Sequence, residues 1–96
     1  SDYIVYGRDR VLKAIETGLA EVAIVAEELG EETVLEIIMK AEEKDVKVEV
    51  IPKGVEESKT LTQAFGGYLA LLTAPVWVLE QHIDKKQQTT EEIQLT

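Results

Sequence analysis

The sequence contains no cysteine, a single histidine and no long apolar run, and each absence removes a class of protein. Without cysteine, the 96-residue chain has neither disulfides nor thiolate metal sites, as is usual in a reducing compartment. With His82 as the one histidine, only hard cations such as magnesium remain as metal candidates. No apolar run reaches the roughly 20 residues of a membrane span. We therefore expect no cofactor, no metal site and no membrane association.

Basic residues are also scarce. Ten lysines and arginines stand against nineteen aspartates and glutamates, and the formal net charge is −9. A polyanion such as RNA is repelled by this surface unless one face concentrates the cations. The charge therefore favours protein partners over nucleic acid.

Strand-like and helix-like segments alternate along the chain. Short apolar or alternating runs predict strands, and apolar residues at helical spacing predict helices. The predicted order is strand 3–6, helix 8–17, strand 22–26, helix 31–44, strand 46–51, helix 56–65 and strand 68–72. Such alternation implies helices on both faces of a central sheet. We predict a three-layer α/β/α sandwich with a mixed, mostly parallel sheet.

Side-chain patterns add expectations about burial. The unbroken apolar run 22–26 predicts a strand in the middle of the sheet, and the alternation at 46–51 predicts a strand near an edge. The second helix is expected to bury a broad stripe, and the third helix a smaller set. The stripe comprises Val34, Leu35, Ile38, Met39 and Ala41, and the smaller set Leu61, Ala64 and Phe65.

The pattern weakens after Pro75. The apolar run 76–79 either extends the last strand or covers an exposed edge. The following residues are rich in Gln, Thr, Lys and Glu and have few apolar anchors. We predict one α/β domain at residues 1–80, followed by a mobile tail at 81–96.

Catalytic motifs are not apparent. Ser1 and Ser58 are the only serines, and neither has an evident histidine partner. Paired glutamates such as Glu31 and Glu32 are adjacent and do not share a helix face. Gly66-Gly67 follows a helix, whereas phosphate-binding glycines precede one. An enzyme is therefore the minority interpretation.

Trp77 is the most informative aromatic residue, because it lies beyond the last well-defined element. An exposed tryptophan is a natural anchor for a partner, and a buried one would cap the core. We name Trp77, Glu31 and Glu32 as candidate partner-binding residues.

Four segments resemble the C-terminal domain of archaeal and eukaryotic class 1 peptide chain release factors and of their paralogue Pelota. They are Tyr6-Gly7, 11–18 (VLKAIETG), 21–29 (EVAIVAEEL) and 64–72 (AFGGYLALL). In that family the domain begins with YG, a helix ending in glycine, and an apolar strand followed by an acidic residue and leucine. It closes with a helix, a double glycine and an apolar strand. The resemblance spans residues 3–76 and agrees with the predicted element order.

Two details slightly favour the Pelota branch. Release factors typically insert a small subdomain after the second strand, and Leu29-Gly30-Glu31 leaves no room for it. Ala74-Pro75-Val76 also resembles the Pelota ending, although Thr73 stands near the position where the family usually has arginine.

The resemblance implies a non-catalytic docking role in the cytoplasm. In this family the domain contacts a translational GTPase and the ribosome-recycling ATPase, and through them the ribosome. The GGQ motif of peptidyl-tRNA hydrolysis lies in another domain, and here Gly66-Gly67 is followed by Tyr68.

Two rival functions stay open. The first is a kink-turn RNA-binding protein of the same fold, whose first helix starts G-x-N-E-x-x-K. Gly7 and Lys13 match that motif, but Asp9 replaces the asparagine and Arg10 the glutamate. An acidic side chain facing a nucleic-acid backbone is unfavourable, so direct RNA binding is not expected. The second rival is a small stand-alone enzyme.

Overall fold

The computed structural model of the chain describes residues 2–83. Within that range, strands and helices alternate as predicted. The elements are β1 (Ile4–Tyr6), α1 (Arg8–Glu16), β2 (Ala20–Ala26), a 3-10 turn (Glu27–Leu29), α2 (Glu31–Glu43), β3 (Lys47–Ile51), α3 (Glu56–Phe65), β4 (Tyr68–Leu72) and α4, which includes residues 76–83.

The sheet is mixed, with the strand order β1-β4-β2-β3. Among the described strands, only β2 and β3 pair in parallel, whereas β4 runs antiparallel to both β1 and β2. The mixed sheet is confirmed, but the expectation that it is mostly parallel is wrong. The central position of β2 and the edge position of β3 agree with their apolar and alternating patterns.

The antiparallel direction of β4 follows from the path of the chain through α3. Ile51 ends β3 opposite Ala26, and Tyr68 begins β4 opposite Val25. The chain therefore leaves β3 and enters β4 at the same end of β2. A parallel β4 would require the connection to return along the full length of the sheet. Here α3 does not make that return, so β4 runs back along β2.

One face of the sheet packs against α1 and α2. Val5 and Ala23 both lie beside Ala70 in register, and all three are buried in the main core. Fully burying one large aliphatic side chain contributes about 1.5–3 kcal/mol. The buried residues that the two helices contribute to the protein interior are Val11, Leu12, Ala14, Ile15, Ile37 and Ala41.

The other face of the sheet packs against α3. Tyr6 alternates with Val5 along β1 and so points away from the main core. Its ring meets the ring of Phe65 edge-on, with the centroids 5.3 Å apart. Leu69 lies beside Tyr6 on this face, and Ile24 beside Leu69; both are half-buried. Helices therefore cover both faces, which confirms the predicted three layers.

Residues 76–83 are helical, so the prediction that 76–79 extends the last strand is wrong. Pro75 precedes the helix, where its restricted φ and missing N–H are tolerated. Leu79 is completely buried, and the half-buried Ile83 packs against the same core. The predicted domain end at residue 80 therefore lies inside α4. Residues 84–96, which make up most of the predicted tail, lie outside the described residues.

Helix α4 lies at the edge of the sheet formed by β1. The backbone N–H of Val76 donates to the carbonyl of Asp2 over 2.6 Å, and Arg10 of α1 pairs with Glu80. The alternative prediction, that the run 76–79 covers an exposed edge, is the one closer to this arrangement.

Candidate functional site

The described residues bring no catalytic groups together. The Oγ atom of Ser58 is completely buried in α3 and has no hydrogen-bond partner within this part of the chain. His82 is exposed on α4. Within residues 2–83, no three Asp, Glu or His side chains form a group able to hold a metal ion. In the same range, no helix has the length and apolar character needed to cross a bilayer.

The double glycine has a structural role. Gly66 caps α3 in the left-handed conformation, with a φ of +67°. Gly67 has a φ of +88°, and a Cβ atom placed on it would lie 2.7 Å from Cδ1 and Cδ2 of Leu29. Its N–H donates to the carbonyl of Leu61, and its carbonyl accepts from Ala26 N–H. This confirms helix termination and a tight turn as the reason for both glycines.

The cations of α1 are all engaged by carboxylates. Arg8 donates to both carboxylate oxygens of Glu36 on α2, over 2.9 and 3.2 Å. Nη1 of Arg10 lies 3.4 Å from Glu80 on α4, and Nζ of Lys13 lies 3.8 Å from Glu16. This segment is the one that resembles the start of the first helix in kink-turn-binding proteins. Here its positive charges are neutralised from within the domain, which weakens attraction to a phosphate backbone.

Electrostatics around Arg8 also affect a buried tyrosine. The carboxylate of Glu36 raises the pKa of Arg8 above its usual value, mainly by charge attraction and then by hydrogen bonding. Burial raises the pKa of the Tyr68 hydroxyl above its usual value, and the positive charge of Arg8 partly opposes that shift. The neutral tyrosine therefore lies beneath an ion pair that joins α1 to α2.

The structure places the predicted partner-binding residues on the surface but not together. Glu31 and Glu32 are exposed in the first turn of α2, where the helix dipole favours negative charge. Trp77 is 59% exposed on α4, so it does not cap the core. Because α2 packs on β3 and α4 lies beside β1, these residues occupy opposite edges of the sheet. They form two separate surfaces.

Sequence reasoning missed two further exposed side chains on α2. Leu35 and Met39 were assigned to its buried stripe, yet they are 48% and 63% exposed. The side chains that α2 buries completely are Ile37 and Ala41. The available signal was the excess of apolar residues, because one helix face cannot bury them all. On α3, Leu61 is buried and Phe65 half-buried as expected, whereas Ala64 is exposed.

Comparison with known proteins identifies the family. A family model described as eRF1 domain 3 matches residues 1–76. The chain belongs to the eRF1 domain 3 family. It is a domain of the release-factor and Pelota type of translation factor, as the resemblance implied, and its mixed α/β fold matches the solved structures of that type.

Individual relatives of this domain are translation factors of the same type. The chain is 70% identical over 83 residues to peptide chain release factor subunit 1 of Pyrobaculum aerophilum, covering 86% of this chain and 21% of that protein. An archaeal translation termination factor, aRF1, matches 75% of the chain and 20% of its own with a TM-score of 0.67 and 29% identity. Archaeal Pelota, in a ribosome-bound model with ABCE1, matches 78% of this chain and 22% of its own chain. The TM-score is 0.63 and the identity 30%. The chain thus spans about a fifth of the curated relative.

Proposed function

We propose that the chain is a non-catalytic docking domain of a translation termination factor, acting in the cytoplasm. Its partners are a translational GTPase and the ribosome-recycling ATPase, and it reaches the ribosome through them. The observation that carries the proposal is the match of residues 1–76 to a domain of release factors. The structure with ABCE1 on the ribosome, which contains the related archaeal Pelota, supports a partner of this kind.

The distribution of charge supports protein docking over RNA binding. Each cation of α1 lies beside a carboxylate, and the chain carries a net charge of −9. An RNA ligand would have to separate these ion pairs and overcome the mean field. The candidate residues Trp77 and Glu31-Glu32 lie on separate surfaces, which suits a domain with more than one protein partner.

We assign the chain to the release-factor branch. The 70% identity to a release factor greatly exceeds the 30% identity to the archaeal Pelota structure. This assignment reverses the slight preference for Pelota drawn from the short connection at Gly30. That connection therefore does not separate the two branches here.

Direct titration tests the proposal. The chain is titrated calorimetrically against the translational GTPase and the recycling ATPase of the same source, and separately against a kink-turn RNA. We expect binding to both proteins and no measurable RNA binding at about 150 mM salt. Tight, salt-sensitive RNA binding without protein binding would establish the rival function instead.

Substitutions locate the contacts. Trp77→Ala is expected to weaken binding to one partner about tenfold or more, because aromatic anchors contribute a large share of the binding energy at interfaces. His82→Ala, on the same helix, is its control.

The pair Glu31→Gln/Glu32→Gln is expected to slow association, since charges at the rim of an interface act mainly on the association rate. The matched pair in the first turn of α3, Glu56→Gln/Glu57→Gln, should leave association unchanged.

A further inference from the structure

An apolar strip runs along the exposed side of α2 and onto the edge of the sheet. Leu35 and Met39 are one helical turn apart, so their side chains lie on the same side of α2. A groove of about 440 Å³ lies between Leu35, Val34 and Val50 of β3. A second groove of about 440 Å³ continues from Leu35 to Met39. The two grooves share Leu35 and form one continuous strip, which we call the α2 groove.

Few of the charged residues that line the α2 groove are positive. Five of its charged lining residues are glutamates, and two are lysines, Lys40 and Lys53. Glu36 is engaged by Arg8, and Glu27 accepts a hydrogen bond from the backbone N–H of Lys53. The remaining carboxylates have no ion pair within residues 2–83. They are Glu31, Glu32 and Glu43.

This combination selects the chemistry of the occupant. Exposed leucine and methionine favour burial against another apolar surface, and methionine adapts its shape to different side chains. The unpaired carboxylates along the rim repel an acidic or RNA surface and attract lysine or arginine. Because Leu35 and Met39 are spaced by one turn along a helix ridge, a second helix packing against them would present its own apolar side chains at three- or four-residue spacing.

We propose that the α2 groove binds a basic amphipathic helix of a partner protein, with apolar side chains in the groove and Lys or Arg against its rim. This inference rests on the proposed docking function and assigns to it a specific surface. Of the residues named from the sequence, Glu31 and Glu32 belong to this surface, and Trp77 does not.

The experiment compares variants of the full chain in binding to the two purified proteins, the translational GTPase and the recycling ATPase. Leu35→Ser/Met39→Ser is expected to weaken binding to one of them about tenfold or more. Val55→Ser is the matched control, because Val55 is an exposed apolar residue (37%) outside the groove, at the start of α3. Both altered side chains of the double variant are exposed, so folding should be preserved, and circular dichroism verifies it.

Charge reversal tests the basic character of the occupant. Glu32→Lys/Glu43→Lys is expected to weaken binding to the same partner. This loss of affinity should become smaller as salt is raised from about 50 to 300 mM. Glu57→Lys on α3 serves as the control.

The outcomes separate this inference from the function on which it rests. If both proteins bind and neither groove variant affects them, the groove assignment is wrong while the docking function stands. If neither protein binds the unaltered chain, the docking function itself fails. If Leu35→Ser/Met39→Ser weakens binding but Glu32→Lys/Glu43→Lys has no effect, the occupant of the groove is not basic.

Discussion

At the scale of single residues, the two adjacent glycines after α3 differ in what surrounds them. Both have positive φ, but only Gly67 faces a neighbour, Leu29, at a distance that a Cβ atom would violate. An alanine at Gly66 meets open space and pays only for its left-handed backbone, about 1–2 kcal/mol. An alanine at Gly67 has that strain and must also displace the side chain of Leu29.

We therefore expect Gly67→Ala to reduce the free energy of unfolding by about 2–4 kcal/mol, and Gly66→Ala by about 1–2 kcal/mol. Urea titrations followed by circular dichroism measure both. Equal losses in the two variants would show that the close approach of Leu29 has no energetic consequence.

The raised pKa of Tyr68 makes stability depend on alkaline pH. Burial favours the neutral phenol in the folded chain, so the folded pKa exceeds the unfolded value of about 10. The resulting stabilisation is complete below the unfolded pKa and is lost as pH rises through the folded one. Between the two values the free energy of unfolding falls by at most about 1.4 kcal/mol per pH unit.

Tyr68→Phe isolates this effect, because phenylalanine has no proton to lose. We expect the variant to lose less stability than the unaltered chain between pH values of about 9 and 11, measured by urea unfolding at each pH. Identical pH profiles would mean that Tyr68 does not titrate differently in the folded and unfolded states.

At the scale of elements, α4 is anchored to the core chiefly by Leu79, with Val76 and the half-buried Ile83 also packed against it. Leu79 is completely buried in the main core, whereas Trp77 on the same helix is 59% exposed. Truncating a buried leucine to alanine typically costs about 2–5 kcal/mol, depending on how far the cavity collapses. An exposed position of the same helix carries little of this energy.

Leu79→Ala is accordingly expected to lower the free energy of unfolding by about 2–5 kcal/mol, and Trp77→Ala by about 0.5 kcal/mol or less. Thermal and urea unfolding compare the two. If Trp77→Ala proved the more damaging of the pair, the tryptophan would be part of the fold and not a free docking residue.

The order and type of the strands and α-helices from β1 to β4 were predictable because each apolar period is local. The period of α3 gave its bounds correctly, and the unbroken run of β2 placed it at the centre of the sheet. Strand direction was not predictable, since the apolar run of β4 is the same whether it pairs in parallel or antiparallel. It depends on the short path through α3, which no local pattern records.

The exposure of Leu35 and Met39 was not predictable either, because a local pattern does not show how elements pack. Apolar residues occupy most of the circumference of α2, and periodicity does not tell which of them the sheet covers. Leu35 and Met39 were therefore assigned to the core, although the side chains that α2 buries completely are Ile37 and Ala41. The helix at 76–83 was not predicted from the run 76–79, because its β-branched residues favour strands and Pro75 was not interpreted as a helix start.

At the scale of the whole molecule, like charges oppose folding. With nineteen acidic and ten basic residues, bringing the chain into a compact state concentrates negative charge. Added salt screens this repulsion and also weakens the ion pairs of α1. Those pairs are solvent-exposed, and such pairs contribute only about 0–1 kcal/mol each. The excess of carboxylates should therefore dominate the response of stability to salt.

We expect the melting temperature to rise by a few degrees between about 20 and 300 mM NaCl, because screening relieves the net repulsion. Glu42 and Glu43 supply a matched test, since both end α2, where the helix dipole disfavours negative charge. Glu42→Gln/Glu43→Gln should stabilise the chain at low salt by about 0.5–1 kcal/mol and reduce its response to salt. Differential scanning calorimetry at the two salt concentrations measures both effects. A melting temperature that falls with salt would mean that the surface ion pairs outweigh the repulsion among the carboxylates.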